Sequence, residues 1–240
     1  MRSFSITDIG EKRQINQDYV FCEENSIGGL PNLFIVADGM GGHNAGDYAS
    51  RFSVEVFTEK IRTNQQKTPI GMISDALQYT NDLLLEEANA KNDLQGMGTT
   101  FVVATIIDSV LYVANVGDSR LYVIRDGIKQ ITEDHSLVEE MVKTGEIERK
   151  DVRTHPNKNI ITRALGANTT VAPDYFEVEL EIGDIVLMCS DGLTNMMEDK
   201  DIVDIVKNYA DDLDTTAKTL VDKANENGGK DNISIVLVKL

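Results

Sequence analysis

The sequence predicts an α+β fold in which antiparallel β-sheets carry helices on their outer faces. Two observations predict it. Strand-like apolar runs come in adjacent clusters rather than alternating one by one with helices, and the two longest helical patterns follow each other as a pair. Strict strand–helix alternation would indicate a parallel sheet, whereas segregated strands and helices are typical of α+β architecture.

The strand predictions rest on short runs rich in Val, Ile, Phe and Tyr, the residues favoured on a pleated surface. Arg125-Asp126-Gly127 separates "RLYVI" from "IKQIT" and therefore predicts a hairpin. The predicted strands are Tyr19–Cys22, Leu33–Ala37, Thr100–Ile107, Val110–Val116, Leu121–Ile124, Tyr175–Leu180, Ile185–Cys189 and Ile233–Val238.

The helix predictions rest on apolar residues recurring every three or four positions. The first helix places Ala45, Ala49, Phe52, Val56 and Lys60 on one face, with Tyr48 and Ile61 beside it. The others are marked by Ile73, Leu77, Leu84 and Ala88, by the pairs Leu137/Met141 and Val138/Val142 before Gly145, and by the segments "DIVDIVKNY" and "TTAKTLVDKAN".

Length, charge and cysteine content limit the classes of function. The 240 residues contain no repeat and no proline-rich linker, which favours a single domain, 1–240. A net charge of −17 argues against a nucleic acid or an anionic membrane as partner and is consistent with carboxylates that hold cations.

Cys22 and Cys189 lie in apolar contexts without CxxC spacing, so we expect two core thiols. The absence of a signal-peptide pattern and of an apolar run near ~20 residues predicts a cytoplasmic location.

Aspartates recur at the ends of the predicted strands. One of them, Asp38, follows the run "LFIVA" within "VADGMGGHNAG". Three of the five aspartates have a glycine beside them, namely Gly39, Gly117 or Gly192. Strand ends at one sheet edge are neighbours, and two carboxylates ~4 Å apart repel by about 4 kcal/mol at an effective dielectric near 20. Gathered carboxylates must therefore be protonated, spread apart or neutralised by hard cations such as Mg²⁺ or Mn²⁺. Five unrelated Asp-Gly turns are the alternative. The aspartates are Asp18, Asp38, Asp118, Asp191 and Asp231.

Eight segments together resemble the bacterial metal-dependent, PPM-type (type-2C) serine/threonine protein phosphatases. They occur in the family's order and span residues 7 to 238: "DIGEKRQINQD", "VADGMGGHNAG", "GMGTTFVVA", "VANVGDSRLYVI", "EDHSLVEEMVKTGEI", "HPNKNIITRALG", "VLMCSDGLTNM" and "GGKDNISIVLV". The resemblance implies a four-layer αββα sandwich, two antiparallel sheets flanked by helices, with a two-metal centre of Mn²⁺ or Mg²⁺ at one end.

The resemblance also implies roles for individual residues. Asp38 would bridge both metals, the Gly39 carbonyl and Asp18 would serve one, and Asp191 and Asp231 would serve the other. A third, weaker ion would be held by Asp118 together with Asp191. Arg13 matches the arginine that grips the substrate phosphate, where a guanidinium fork suits a dianion. A water bridging the two metals would then attack phosphorus, and the metals would stabilise the developing charge.

One departure from the family concerns the general acid. Eukaryotic members place a histidine directly after the Asp-Gly, whereas this chain has Met40 there. His43 follows after two glycines, and His155 lies in a predicted flap, 145–166, that would meet the protein substrate. His43, His155 and a metal-bound water are the open alternatives for the proton donor.

The expected function is hydrolysis of phosphoserine and phosphothreonine in proteins, in opposition to a bacterial Ser/Thr kinase, by a monomer. Three rivals are weighed against it. A phosphatase acting on a regulatory partner such as an anti-sigma antagonist usually carries sensory segments. A catalytically dead phosphoprotein binder usually loses metal aspartates, and all five are present. A simple metal-binding or interaction protein does not explain Arg13.

Overall fold

The protein was analysed as a computed structural model that describes residues 1–42 and 45–240. His43, one of the candidate proton donors, lies outside the described residues. The strands are β1 (Arg2–Asp8), β2 (Asp18–Glu23), β3 (Leu33–Met40), β4 (Gly98–Thr99), β5 (Phe101–Ile107), β6 (Val110–Val116), β7 (Arg120–Ile124), β8 (Ile128–Gln130), β9 (Asp174–Glu179), β10 (Ile185–Cys189) and β11 (Ile233–Lys239). The helices are α1 (Ala45–Thr63), α2 (Pro69–Ala90), α3 (Leu137–Lys143), α4 (Asp191–Thr194), α5 (Asp199–Asn208) and α6 (Leu213–Glu226).

The strands form two sheets, and every strand pair is antiparallel. The first sheet has the order β1-β11-β10-β7-β8, and the second has the order β2-β3-β5-β6-β9, with β4 paired to β3. Both sheets therefore mix strands from the two halves of the chain, and their ends bring together residues that are far apart in sequence.

Three apolar layers explain why the central strands are apolar on both faces. In β10, Val186 and Met188 pack in the layer between the sheets, whereas Ile185, Leu187 and Cys189 pack against the helices. The same alternation divides β3, where Phe34 and Val36 face the other sheet and Leu33, Ile35 and Ala37 face α1 and α2. Because successive side chains of a strand point to opposite faces, such a strand reads as a continuous apolar run. The predicted αββα sandwich is confirmed.

The helices cover the outer faces of the sheets through their apolar stripes. On α2, the predicted residues Ile73, Leu77, Leu84 and Ala88 are all buried. A proline at its first turn and the Thr68 side chain, which accepts from the Gly71 N–H, begin this helix.

The element predictions miss β1, β4 and α4 and are wrong in two further details. The buried face of α1 is offset from the predicted one: Ser53, Val54 and Phe57 are buried, while Phe52, Val56 and Lys60 are only half-buried. The strand β3 continues past Ala37 through Asp38 to Met40, since pairing with β4 extends it. Asp38 is therefore inside a strand rather than after one.

Among the described residues, no helix combines the length and the apolar character that crossing a membrane requires. The two cysteines are free thiols: Cys189 is buried, and Cys22 is half-buried with its thiol against the Ser3 hydroxyl, 3.1 Å away.

Candidate active site

Asp18 and Asp38 face each other across the β2–β3 ladder. Asp18 is the first residue of β2, and the antiparallel register pairs it directly with Asp38 of β3. Like charges placed directly opposite each other destabilise a sheet unless something compensates them. This pairing therefore marks a position where the sheet presents two carboxylates together.

The backbone around Asp38 is held firmly. Its N–H donates to Thr100 Oγ1 at 2.9 Å, and its carbonyl accepts from the Thr100 N–H at 2.8 Å and from Thr99 Oγ1 at 3.0 Å. The next residue must be glycine because there is no room for a side chain. A Cβ at Gly39 would lie 2.0 Å from the carbonyl oxygen of Gly46 and 2.7 Å from that of Gln17. Glycine at this position lets three backbone segments meet beside the carboxylate.

Asp191 and Asp118 approach the same edge from other strands. Asp191 begins α4 directly after β10 and Ser190, and its Oδ2 accepts from Asn195 Nδ2 at 2.7 Å. Asp118 follows β6 after one glycine and is 8% exposed. Beside it, Arg120 forms a bidentate ion pair with Asp134, with N–O distances of 2.7–3.0 Å.

Asp231 lies two residues before β11 and carries the contact to Arg13. The Arg13 Nη2 donates to Asp231 Oδ2 at 2.7 Å, and Asp231 Oδ1 accepts from the N–H of Asn232 at 2.9 Å. The Arg13 side chain is 45% exposed, so the pair contributes little to stability and the guanidinium can exchange partners. We call the strand ends that carry Asp18, Asp38, Asp118, Asp191 and Asp231 the acidic edge. Arg13 thus lies at the rim of the acidic edge, with N–H donors available to an incoming anion.

The charges of the other four aspartates all act on Asp38. The pKa of Asp38 is raised well above its usual value by burial and then by the charges of Asp18, Asp191, Asp118 and Asp231. Burial raises the pKa of Asp18 to about 7 although the Ser190 hydroxyl stabilises its charge, and burial together with Asp231 raises the pKa of Asp191 to about 6.

Asp118 behaves in the same way. Burial and then the charge of Asp191 raise its pKa well above the usual value, and Arg120 opposes that shift. Raised carboxyl pKa values are what burial and mutual repulsion produce in a cluster of like charges when no cation compensates it.

The donor set at this edge fits hard divalent cations. All five side chains offer carboxylate oxygens, which Mn²⁺ and Mg²⁺ accept. The buried Oδ1 atoms of Asp18 and Asp118 accept no hydrogen bond from the described part of the chain, and such atoms need a partner. Within residues 1–42 and 45–240, no three His, Cys, Asp or Glu side chains form a group that could hold a metal ion as they stand. Mg²⁺-type sites usually keep several waters between ion and protein, so their carboxylates need not be gathered into one tight group.

A cavity of about 640 Å³ extends from the acidic edge. Asp118 and Asp191 lie at one side of it, and the predicted flap contributes Arg149, Arg153 and Lys158 at the other. Arg153 Nη2 donates to the carbonyls of Thr194 and Met197 at 2.7 and 2.5 Å, which docks the flap on α4. Residues of the 145–166 segment therefore line the cavity beside Asp118 and Asp191.

His155 has a local role in the flap. Its Nδ1 accepts from the N–H of Asn157 at 3.2 Å within a turn, and the ring is half-buried. No contact between His155 and the aspartates is present in the described residues. The identity of the proton donor thus stays a prediction with His43, His155 and water as its alternatives.

Sequence reasoning missed the residues that hold the aspartates in place. Ser190, Asn195 and Asn232 each contact an aspartate or its neighbouring loop. A signal existed for Asn195, since it follows Asp191 by four residues, the spacing at which helical side chains meet. No periodicity marks Ser190 or Asn232, whose contacts are made across long stretches of sequence.

Comparison with known proteins agrees with this geometry. The family model "Protein phosphatase 2C" matches residues 4–233. The "Serine/threonine phosphatase stp" of Listeria innocua is 42% identical over 97% of this chain and 93% of its own length. The solved S. agalactiae serine/threonine phosphatase has a TM-score of 0.90 at 36% identity, covering 100% of this chain and 99% of that one. The catalytic domain of PstP, solved with two manganese ions, has a TM-score of 0.85 at 29% identity, covering 98% of this chain and 96% of that one.

The sandwich, together with the matches to named phosphatases over nearly the whole chain, identifies the class as metal-dependent protein serine/threonine phosphatases. The chain belongs to the protein phosphatase 2C family.

Proposed function

We propose that the acidic edge holds two core ions, Mn²⁺ or Mg²⁺, and that Arg13 binds the phosphate of phosphoserine and phosphothreonine in protein substrates. Asp38 would contact both ions, with Asp18 and the Gly39 carbonyl at one and Asp191 and Asp231 at the other. Asp118 would join Asp191 at a third, weaker site. The observation that carries this proposal is the cross-strand pairing of the buried Asp18 with the half-buried Asp38, where one oxygen of Asp18 has no hydrogen-bond donor in the described chain.

The chain's own residues contribute binding and orientation. Arg13 presents exposed N–H donors beside Asp231, in position to take a phosphate dianion from solvent. The Thr99 and Thr100 hydroxyls and backbone fix Asp38, and Asn195 fixes Asp191, so that the ligands do not have to reorganise during turnover. When bound, divalent ions supply an activated water at neutral pH and compensation of phosphate charge.

The wider setting belongs to the same proposal. We place the whole chain, 1–240, in one catalytic domain that acts as a monomer in the cytoplasm and opposes a Ser/Thr protein kinase. Phosphorylated proteins are its substrates, and the flap from 145 to 166, which borders the cavity, is the surface that they meet.

The test is hydrolysis of a phosphothreonine peptide together with calorimetric titration of Mn²⁺. We expect EDTA to abolish turnover, Mn²⁺ to restore it, and Asp38→Asn to lose high-affinity Mn²⁺ binding, because it loses the shared ligand. Asp93→Asn is the matched control, since Asp93 is exposed in a turn after α2. Full turnover in chelator, or unchanged Mn²⁺ binding by Asp38→Asn, would refute the assignment.

A further inference from the structure

The side chain of Asn232 is buried and makes three hydrogen bonds to a single loop. Its Oδ1 accepts from the N–H of Gln17 at 2.8 Å, and its Nδ2 donates to the carbonyls of Ile9 and Ile15 at 2.9 and 3.1 Å. Asn232 is only 3% exposed. A buried amide whose donors and acceptor all bind one segment holds the two ends of that segment together.

The loop that Asn232 closes is the one that carries Arg13. Ile9 lies at its start, Ile15 and Gln17 at its end, and the residues between them, 11–14, are exposed. Near the start, the N–H groups of Glu11 and Lys12 both donate to the Gly229 carbonyl, at 2.8 and 3.1 Å. The loop tip itself has few attachments, so its position depends on how its base is closed.

Closing the base matters because Arg13 must be presented in one place. Its Nη2 lies 2.7 Å from Asp231 Oδ2, and Asp231 is the neighbour of Asn232 in sequence. A loop freed at its base samples many conformations, and each encounter with a phosphate must then include the cost of ordering it. The Gly39 N–H and the Ser50 hydroxyl donate to the Gln17 carbonyl at the end of the loop, and among the described residues only the Asn232 side chain joins that end to Ile9 and Ile15.

The Asn232 side chain acts on the loop and not on Asp231. The contact between Asn232 and Asp231 is made by the backbone N–H, 2.9 Å from Asp231 Oδ1, and any residue at position 232 other than proline retains that donor. Truncating the side chain thus removes the loop contacts and leaves the backbone contact to the proposed metal ligand in place.

We propose that Asn232 is a positioning residue for substrate binding: it fixes the 9–17 loop so that Arg13 meets the substrate phosphate. This inference rests on the proposed role of Arg13 in binding phosphate. It predicts that loss of the Asn232 side chain raises KM for phosphorylated substrates through Arg13 alone.

The experiment is a double-mutant cycle with Asn232→Ala, Arg13→Ala and the combination, measured on a phosphothreonine peptide with saturating Mn²⁺. We expect Asn232→Ala to raise KM by roughly tenfold, the equivalent of one or two hydrogen bonds, with a much smaller change in kcat. On the Arg13→Ala background the same substitution should have no further effect, because the group it positions is gone. Asn227→Ala, which removes an exposed amide that donates to the Met196 carbonyl, is the matched control.

Two further measurements separate this inference from the proposed function. Hydrogen exchange of amides 10–16 should rise in Asn232→Ala while that of strand β2 stays protected, and calorimetric Mn²⁺ affinity should be retained. Asn232→Ser, whose shorter side chain offers one hydroxyl in place of the amide, provides the variant if alanine prevents folding. An additive effect on the Arg13→Ala background, unchanged loop exchange, or lost Mn²⁺ binding with unchanged KM would overturn the inference. A normal KM for Arg13→Ala alone would instead refute the role of Arg13.

Discussion

The hydroxyl of Ser190 donates to Asp18 Oδ2 at 2.7 Å and thereby joins the two sheets at the acidic edge. Asp18 is the first residue of β2 in one sheet, whereas Ser190 directly follows β10 of the other. The same hydroxyl accepts from the N–H of Ser234 on β11 at 3.0 Å. One buried hydroxyl thus satisfies a carboxylate and a backbone donor, and it sets the distance between the proposed ligand Asp18 and the segment that begins with Asp191.

The first prediction concerns Ser190. Ser190→Ala should lower the melting temperature of the metal-free protein by about 3 to 8 °C, since it leaves a buried N–H and a buried carboxylate oxygen without their partner. It should also weaken Mn²⁺ binding, because Asp18 loses the group that orients it. Calorimetry and thermal melts measure both effects. Ser26→Ala, at an exposed serine, is the control, and equal behaviour of the two variants would contradict the prediction.

The second prediction concerns pH and the metal-free state. The folded-state pKa of Asp18 is raised from 3.8 to about 7, and that of Asp38 is also raised. The native state therefore binds more protons than the unfolded chain in this window, and the free energy of unfolding contributed by these groups falls as pH rises from about 4 through 7.

Removing one of these charges should consequently stabilise the metal-free protein at alkaline pH. At pH 8 in EDTA we expect Asp38→Asn to melt about 3 to 6 °C above the wild type, and the gap should close as pH falls to about 5. Millimolar Mn²⁺ should reverse the order, since it stabilises only the native state that binds it. A variant that is less stable than wild type at pH 8 without metal would show that the carboxylates do not repel one another.

The third prediction ranks two aspartates. Asp191→Asn should remove nearly all turnover, because Asp191 is proposed to serve a core ion, whereas Asp118→Asn should reduce kcat less, because it would empty only the accessory site. Both variants should fold, since asparagine is isosteric with aspartate and removes charge from a crowded edge. Phosphopeptide kinetics and Mn²⁺ stoichiometry test the ranking. Equal kinetic losses with equal stoichiometry would contradict the separate roles.

The fourth prediction concerns Arg13. Arg13→Lys should raise KM for a phosphothreonine peptide by about tenfold, because a point charge replaces a bidentate fork. Mn²⁺ affinity should remain within about threefold of the wild type, since the Arg13–Asp231 pair is half-exposed and weak. Arg51→Lys, on the exposed side of α1, is the control. Weakened Mn²⁺ binding with a normal KM would assign Arg13 to the metal site instead.

The sequence by itself determined the α+β class, most of the strands, the helices α2, α5 and α6, and the set of aspartates. It did so because these features are local: apolar periodicity follows from which faces are buried, and the motif residues are adjacent in the chain. The predicted strands Val110–Val116 and Ile185–Cys189 coincide with β6 and β10 for this reason.

Only the tertiary structure decided how the aspartates are arranged. Asp38 lies inside β3 because β2 pairs with it directly and β4, about 60 residues away in sequence, pairs with Gly39 and Met40 beyond it. Three contacts of the site join segments that are distant in the chain. They are the pairing of Asp18 with Asp38, the hydrogen bond of the Ser190 hydroxyl between the sheets, and the hydrogen bonds of Asn232 to the loop that carries Arg13. Such contacts depend on strand register and on how two sheets pack, and a pattern of single-residue preferences carries no information about either.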